Sequence, residues 1–170
     1  MEYLQLFDEN RNIVDEKIER KSNHVYTLPR NRFYMVVLIF IQNDKGEFLM
    51  QKTSKSRSSV IATTGGHVTY GDTSLETVVK ECEEELGLSI NVNNIEHVCS
   101  DIYNDCILDT YYTKMNIDIK DLVLQKEEVE SVNWYTKDQI IDLINKGEFR
   151  EGNIKGFYKV LEHIKKATTL

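Results

Sequence analysis

The sequence predicts an α/β fold in which a sheet is flanked by helices. Three observations predict it. Apolar runs rich in β-formers recur along the chain, the longest being Phe33 to Gln42. Helix-compatible stretches follow or interrupt them, at about Thr73 to Leu86, Lys137 to Lys146 and Lys155 to Lys166. No long linker, repeat or low-complexity tract separates these elements, so 170 residues suggest a single domain, 1–170.

The elements follow in order. Met1 to Phe7 alternates apolar residues, Asp8-Glu9-Asn10-Arg11-Asn12 has turn chemistry, and Ile13 to Lys21 returns. Residues 1–30 therefore read as an N-terminal hairpin extension. Phe33 to Gln42 reads as a buried central strand, Asn43-Asp44-Lys45-Gly46 as a hairpin turn, and Glu47 to Thr53 as the returning strand. Thr73 with Glu76 fits a capping box, and Gly87 fits the stop of the helix between them. Ile95 to Tyr103, Cys106 to Ile117 and Val129 to Thr136 read as three more strands. In the last helix Phe157, Val160, Leu161 and Ile164 form an i, i+3, i+4, i+7 stripe.

Composition narrows the function classes. A net charge of -7 argues against non-specific binding of long nucleic acid. It leaves a phosphate ligand open, because a bound cation inverts the local charge. The three cysteines, Cys82, Cys99 and Cys106, form no CxxC pair and suggest a reducing compartment. The N-terminus lacks the apolar core of a signal peptide. The longest apolar run, Met35 to Ile41, is far too short to span a membrane. A cytoplasmic protein with no membrane partner is the expectation.

The informative stretch runs from Gly65 to Leu88. It is a glycine loop opening into a helix whose last turns carry Glu81, Glu83, Glu84 and Glu85. Negative charge there opposes the helix dipole, at a cost of a few tenths of a kcal/mol per carboxylate. Glu81 and Glu85 add a like-charge i,i+4 pair. A sequence that breaks local rules in this way usually serves a site. At about 100° per residue, Leu75, Val78, Val79, Cys82 and Leu86 share one apolar stripe. Glu84, Glu81 and Glu85 follow one another beside it, and Glu83 points elsewhere. Oxygen ligands grouped in this way suit a hard divalent cation such as Mg²⁺. The competing reading is a solvated acidic helix face.

The residues around the acids favour the site. Gly66, Asp72, Lys80, Glu81, Cys82, Glu84, Glu85, Gly87 and Leu88 fall on a pattern of glycine, five residues, an acid, seven residues, then Arg-Glu-apolar-x-Glu-Glu-x-Gly-apolar. The stretch 66–88 resembles the Nudix box. Three positions depart from it. Asp72 stands where the family usually has Glu, Lys80 where it has Arg, and Cys82 where it has a larger aliphatic. Lysine presents a point charge rather than a planar fork, so it holds carboxylates less rigidly.

The resemblance implies a Nudix fold, an α/β/α sandwich with a mixed sheet, over roughly Phe33 to Lys166. It implies a pyrophosphohydrolase dependent on Mg²⁺ or Mn²⁺ that cleaves a nucleoside diphosphate linked to another moiety. Glu81 and Glu85 are implied as metal ligands and Glu84 as ligand or base, with the Gly66 carbonyl completing the sphere. Lys80 lies one turn before Glu84 and is expected to orient it. The general base is left open among the box acids and a later acid, for which Glu127 and Glu128 are candidates, Glu128 also as a ligand. His67 is expected at a metal or phosphate or in a structural role, whereas His24, His97 and His163 read as ordinary surface or partly packed residues. Lys52, Lys55 and Arg57 are candidate phosphate contacts. Tyr103, Tyr111 and Tyr112 lie where relatives often recognise a base, and Tyr111 and Tyr112 face opposite sides of a strand. Many relatives pair, so a homodimer stays open.

Two other readings compete. One is a Nudix domain kept as a ligand sensor or binding module, suggested by Lys80 in place of arginine. The other is an isoprenoid diphosphate isomerase, suggested by Leu6-Phe7-Asp8-Glu9-Asn10-Arg11 with Glu19-Arg20, which resemble the opening of that Nudix branch. Against it, Thr63-Thr64 stands where the isomerase needs a reactive cysteine.

Overall fold

A computed structural model of the protein describes residues 1–55 and 58–169. The chain opens with a hairpin in which β1 (Tyr3–Phe7) pairs antiparallel with β2 (Ile13–Glu19). Strand β2 alternates exposed and half-buried residues, as a strand with one solvated face should. Strand β1 does not alternate. Leu4, Leu6 and Phe7 are buried, and so is Gln5. The hairpin is thus packed into the domain along β1. Gln5 N–H donates to the Val68 carbonyl at 3.0 Å, and Tyr70 N–H donates to Tyr3 at 2.8 Å. Phe7 and Phe33 exchange backbone bonds of 2.8 and 2.9 Å.

The central strand is β3 (Tyr34–Gln42), as its unbroken apolar run suggests. The turn after it forms. The Asn43 side-chain oxygen accepts from Lys45 N–H and Glu47 N–H, at 3.0 and 2.9 Å. The returning strand, β4 (Phe48–Thr53), then departs from the expected hairpin. It pairs with β3 only at Gln42↔Phe48. Two short strands follow, β5 (Ile61–Ala62) and β6 (Thr64–His67). Strand β6 takes the edge that β4 vacates, pairing Val36–Ile39 with Thr64–His67 antiparallel. The splayed strands place the glycine loop against the middle of β3.

Helix α1 (Ser74–Leu86) comes next, followed by β7 (Glu96–Tyr103) and β8 (Cys106–Lys114). Strand β8 runs parallel to β3 in nine-residue register, from Tyr34↔Cys106 to Gln42↔Lys114. Strand β9 (Val129–Tyr135) pairs with β4, and α2 (Lys137–Asn145) and α3 (Glu151–Thr168) close the chain. The sheet is therefore mixed, in the order β5-β4-β3-β8-β7, with β6 on β3 and β9 on β4.

Two cores lie on its two faces. One joins Val37, Ile39, Ile41 and Tyr111 to Val78, Cys82 and Leu86 of α1. The other joins Leu38, Phe40 and Tyr112 to Ile140 of α2 and to Phe157 and Val160 of α3. This is the α/β/α sandwich. Among the described residues, no helix is long and apolar enough to cross a membrane.

The hairpin is pinned at its far end as well. Arg11, in a left-handed turn at φ 65°, reaches Asp109 on β8. Its Nε and Nη2 donate to the two Asp109 oxygens at 3.0 and 2.5 Å. Ser74 and Ser100 hydroxyls donate to the same carboxylate, each at 2.6 Å. Burial opposes ionisation of Asp109, but the bonds from Arg11, Ser100 and Ser74 outweigh it and hold the carboxyl below its ordinary value.

Candidate active site

Helix α1 starts where its sequence says it should. The Thr73 side chain accepts from Glu76 N–H, and the Glu76 carboxylate accepts from Thr73 N–H at 2.8 Å. Gly87, at φ 62°, ends the helix in a left-handed cap. Val78, Cys82 and Leu86 are buried in the core, which fixes the rotation of the helix. Glu81, Glu84 and Glu85 consequently face one cleft, and Glu83 lies outside its lining.

That cleft encloses about 1190 Å³. Glu81, Glu84, Glu85 and Glu128 lie along it, with Gln125 and Gln51. Glu85 is buried, and its Oε2 accepts from Gln51 Nε2 at 2.9 Å. Gln51 is oriented in turn by the Thr64 hydroxyl, which donates to its Oε1 at 3.1 Å. Glu81 lies against Gly66 so closely that a Cβ on Gly66 would come within 2.1 Å of Glu81 Oε1. Only glycine leaves room for that carboxylate.

Burial pushes the Glu81 carboxyl up to about 8, helped by the charges of Glu85, Glu84 and Glu128, with Arg20 acting the other way. Among the described residues, no three His, Cys, Asp or Glu side chains are gathered tightly enough to hold an ion as they stand. The acids share a wall rather than a point. Their side-chain donors are all oxygens. That chemistry fits a hard divalent ion.

The other expected residues divide. Lys80 lines the cleft, but its ammonium donates to both Asp72 oxygens, at 2.8 and 2.7 Å, rather than to Glu84. Asp72 also accepts from the Thr69 hydroxyl at 2.7 Å. Lys80 and Asp72 therefore brace the loop against the helix. Glu127 is outside the cleft lining, and its carbonyl accepts from Ser54 Oγ at 2.7 Å. Lys52 faces Glu130 at 3.7 Å, and neither Lys52 nor Lys55 lines the cleft. Arg57 lies outside the described residues. Tyr103 lines the cleft, whereas Tyr111 and Tyr112 sit in the two opposite cores.

His24 is exposed, as expected of a surface or partly packed residue, and its packing partner is another ring. Its ring stacks on His67 at 5.3 Å and 12°, and His67 stacks on Tyr34 at 5.8 Å and 17°. All three rings line the cleft. Gln51 and Arg150, to which the sequence assigns no role, also line it, as does Arg20, named from the sequence only within the isomerase-like opening. Gln51 alone left a signal, as a polar residue inside the apolar strand β4. Arg20 and His24 left none, because they arrive by the docking of the hairpin.

Residues 32–156 match the NUDIX domain. The chain belongs to the Nudix hydrolase family. Members of this family act on phosphoanhydride bonds and generally use divalent metal ions such as Mg²⁺. A Nudix hydrolase of Listeria innocua is 30% identical over 100% of this chain and 99% of its own length. Human NUDT12, named an NAD-capped RNA hydrolase, is 23% identical over 67% of this chain, which spans only 24% of that protein. Among solved structures, DR0079 of Deinococcus radiodurans superposes with a TM-score of 0.70 at 23% identity, over 90% of this chain and 94% of that one. The NUDIX domain of Shewanella oneidensis NrtR, solved with ADP ribose, gives a TM-score of 0.63 at 13% identity, over 85% and 94%. These two likenesses speak for the Nudix fold.

Proposed function

We propose that this Nudix hydrolase is a metal-dependent pyrophosphohydrolase that cleaves a nucleoside diphosphate linked to another moiety. The observation that carries the reading is the sharing of one cleft by Glu81, Glu84, Glu85 and Glu128. Glu81, Glu84 and Glu85, with the Gly66 carbonyl and Glu128, would hold Mg²⁺ or Mn²⁺. Bound there, the ion supplies charge neutralisation at the phosphate oxygens and acidifies a water. The chain's own residues do the rest. Gln51 holds Glu85 in place through its 2.9 Å bond. Glu84, the exposed member of the set, is free of the core and suited to take a proton from water.

The size of the cleft supports a two-part substrate. Pockets for small ligands commonly run to roughly 300–1,000 Å³, and this one is about 1190 Å³. ADP-ribose and a nicotinamide dinucleotide are natural first substrates to test, given the ligand of NrtR and the NAD-capped RNA in the name of NUDT12. The protein is taken to be cytoplasmic on the ground that Cys82, Cys99 and Cys106 are free. The isomerase reading gains nothing, because Cys82 is fully buried and its thiol is pushed up by burial.

The test is product release from ADP-ribose, NADH, dinucleoside polyphosphates and nucleoside triphosphates, with Mg²⁺ and with Mn²⁺, for wild type, Glu84→Gln and Glu85→Gln. Metal-dependent release of a nucleoside monophosphate is expected, reduced about 10²-fold or more in both variants. Activity that survives both changes would refute the site. Nucleotide binding without turnover would favour the sensor reading instead.

A further inference from the structure

The N-terminal hairpin lies outside the matched segment 32–156, yet it forms one wall of the cleft. Glu2, Tyr3 and Arg20 come from it, and His24 from the segment that follows. Burial and hydrogen bonds tie it to the domain. Leu4, Leu6 and Phe7 are buried, Gln5 Oε1 accepts from Gly71 N–H at 3.1 Å, and Arg11 holds Asp109. Arg20 is fixed to the opposite strand by its own backbone bond to Glu2, at 2.9 Å.

Two other cations of the cleft are committed to carboxylates. Lys80 donates twice to Asp72, and Lys155 lies 2.9 Å from Asp101. Arg20 is paired with a carboxylate too, but through one nitrogen of its guanidinium. Its Nη1 donates to Glu2 Oε2 at 2.8 Å. A guanidinium has five N–H donors, and no other side-chain bond of Arg20 is found among the described residues. The arginine thus lines the same cleft as the acids with donors to spare, and a guanidinium is the group that can bind phosphate oxygens in pairs.

We infer that Arg20 is a substrate-binding residue that grips a phosphate of the diphosphate, so that the hairpin is part of the active site. Glu2 holds the guanidinium in place through its 2.8 Å bond. This inference rests on the pyrophosphohydrolase reading, and its test is arranged so that the two fail separately.

Binding of inorganic pyrophosphate, in Ca²⁺ and measured by calorimetry, reads Arg20 without turnover. Wild type should bind, Arg20→Gln should bind roughly ten- to a hundredfold more weakly, and Arg20→Lys should fall between them because lysine keeps the charge without the fork. Glu2→Gln removes the same ion pair but keeps the guanidinium, so it should bind at least as tightly as wild type. With whichever substrate the wild type hydrolyses, Arg20→Gln should raise KM far more than it lowers kcat. Pyrophosphate affinity of Arg20→Gln within twofold of wild type would overturn the inference. So would an absence of wild-type binding, or an equal loss in Glu2→Gln. Absence of turnover with intact, Arg20-dependent binding would count against the hydrolase reading alone.

Discussion

Replacing Glu81 by Gln should change how the metal-free protein responds to pH. The Glu81 carboxyl has an ordinary value of 4.5 and is raised to about 8 by burial and by Glu85, Glu84 and Glu128. Between those values the folded state keeps a proton that the unfolded state has released. The native state binds more protons, so stability falls as pH rises through this window and is greatest below it. The limiting slope is about 1.4 kcal/mol per pH unit. From pH 6 to pH 7.5 this gives about 2 kcal/mol, or a Tm drop of about 4–8 °C for a chain of this size. Thermal melts in EDTA at several pH values provide the assay. The difference between wild type and Glu81→Gln cancels titrations elsewhere in the chain. It should shift steadily in the variant's favour as pH rises, because glutamine has no proton to lose. A difference that stays flat from pH 6 to 7.5 would refute the electrostatic account of the cluster.

Three further outcomes are expected. Gly66→Ala should fold with nearly the wild-type Tm but bind Mn²⁺ at least tenfold more weakly, since the new Cβ displaces only the mobile end of Glu81, now 2.1 Å from that position; calorimetry checks this. Arg11→Met removes a half-exposed guanidinium from the buried Asp109 carboxylate, which keeps its bonds from Ser74 and Ser100, and should cost about 1.5–3 kcal/mol in urea unfolding. Thr73→Ala removes one half of the capping box and should cost about 1 kcal/mol by the same measurement.

The acids could be read from the sequence because a helix converts spacing into direction. Once Val78, Cys82 and Leu86 face the core, the arc of Glu81, Glu84 and Glu85 follows, and so does the exclusion of Glu83. The capping box and the stop at Gly87 were legible for the same reason, since both are local. What escaped the sequence is long-range. The splay of β3 and β4 depends on β6 arriving at Val36–Ile39. The parallel match of β3 with β8 joins segments about seventy residues apart. Helix α3 begins at Glu151, four residues before the expected Lys155, and in that added turn the Asn153 side-chain oxygen accepts from the distant Thr63 N–H at 3.0 Å. Arg20 and His24 enter the cleft only because the hairpin docks. Lys80 was expected near Glu84, but Asp72 competes for it and offers two oxygens.

The central claim is that the acids along the cleft form a site for a divalent cation. The most direct measurement is calorimetric titration of Mn²⁺ into the substrate-free protein at pH 8, for wild type, Glu85→Gln and the outward-facing Glu83→Gln. The account predicts saturable binding in wild type and Glu83→Gln, weakened at least tenfold in Glu85→Gln. Equal binding in all three, or none in wild type, would contradict it.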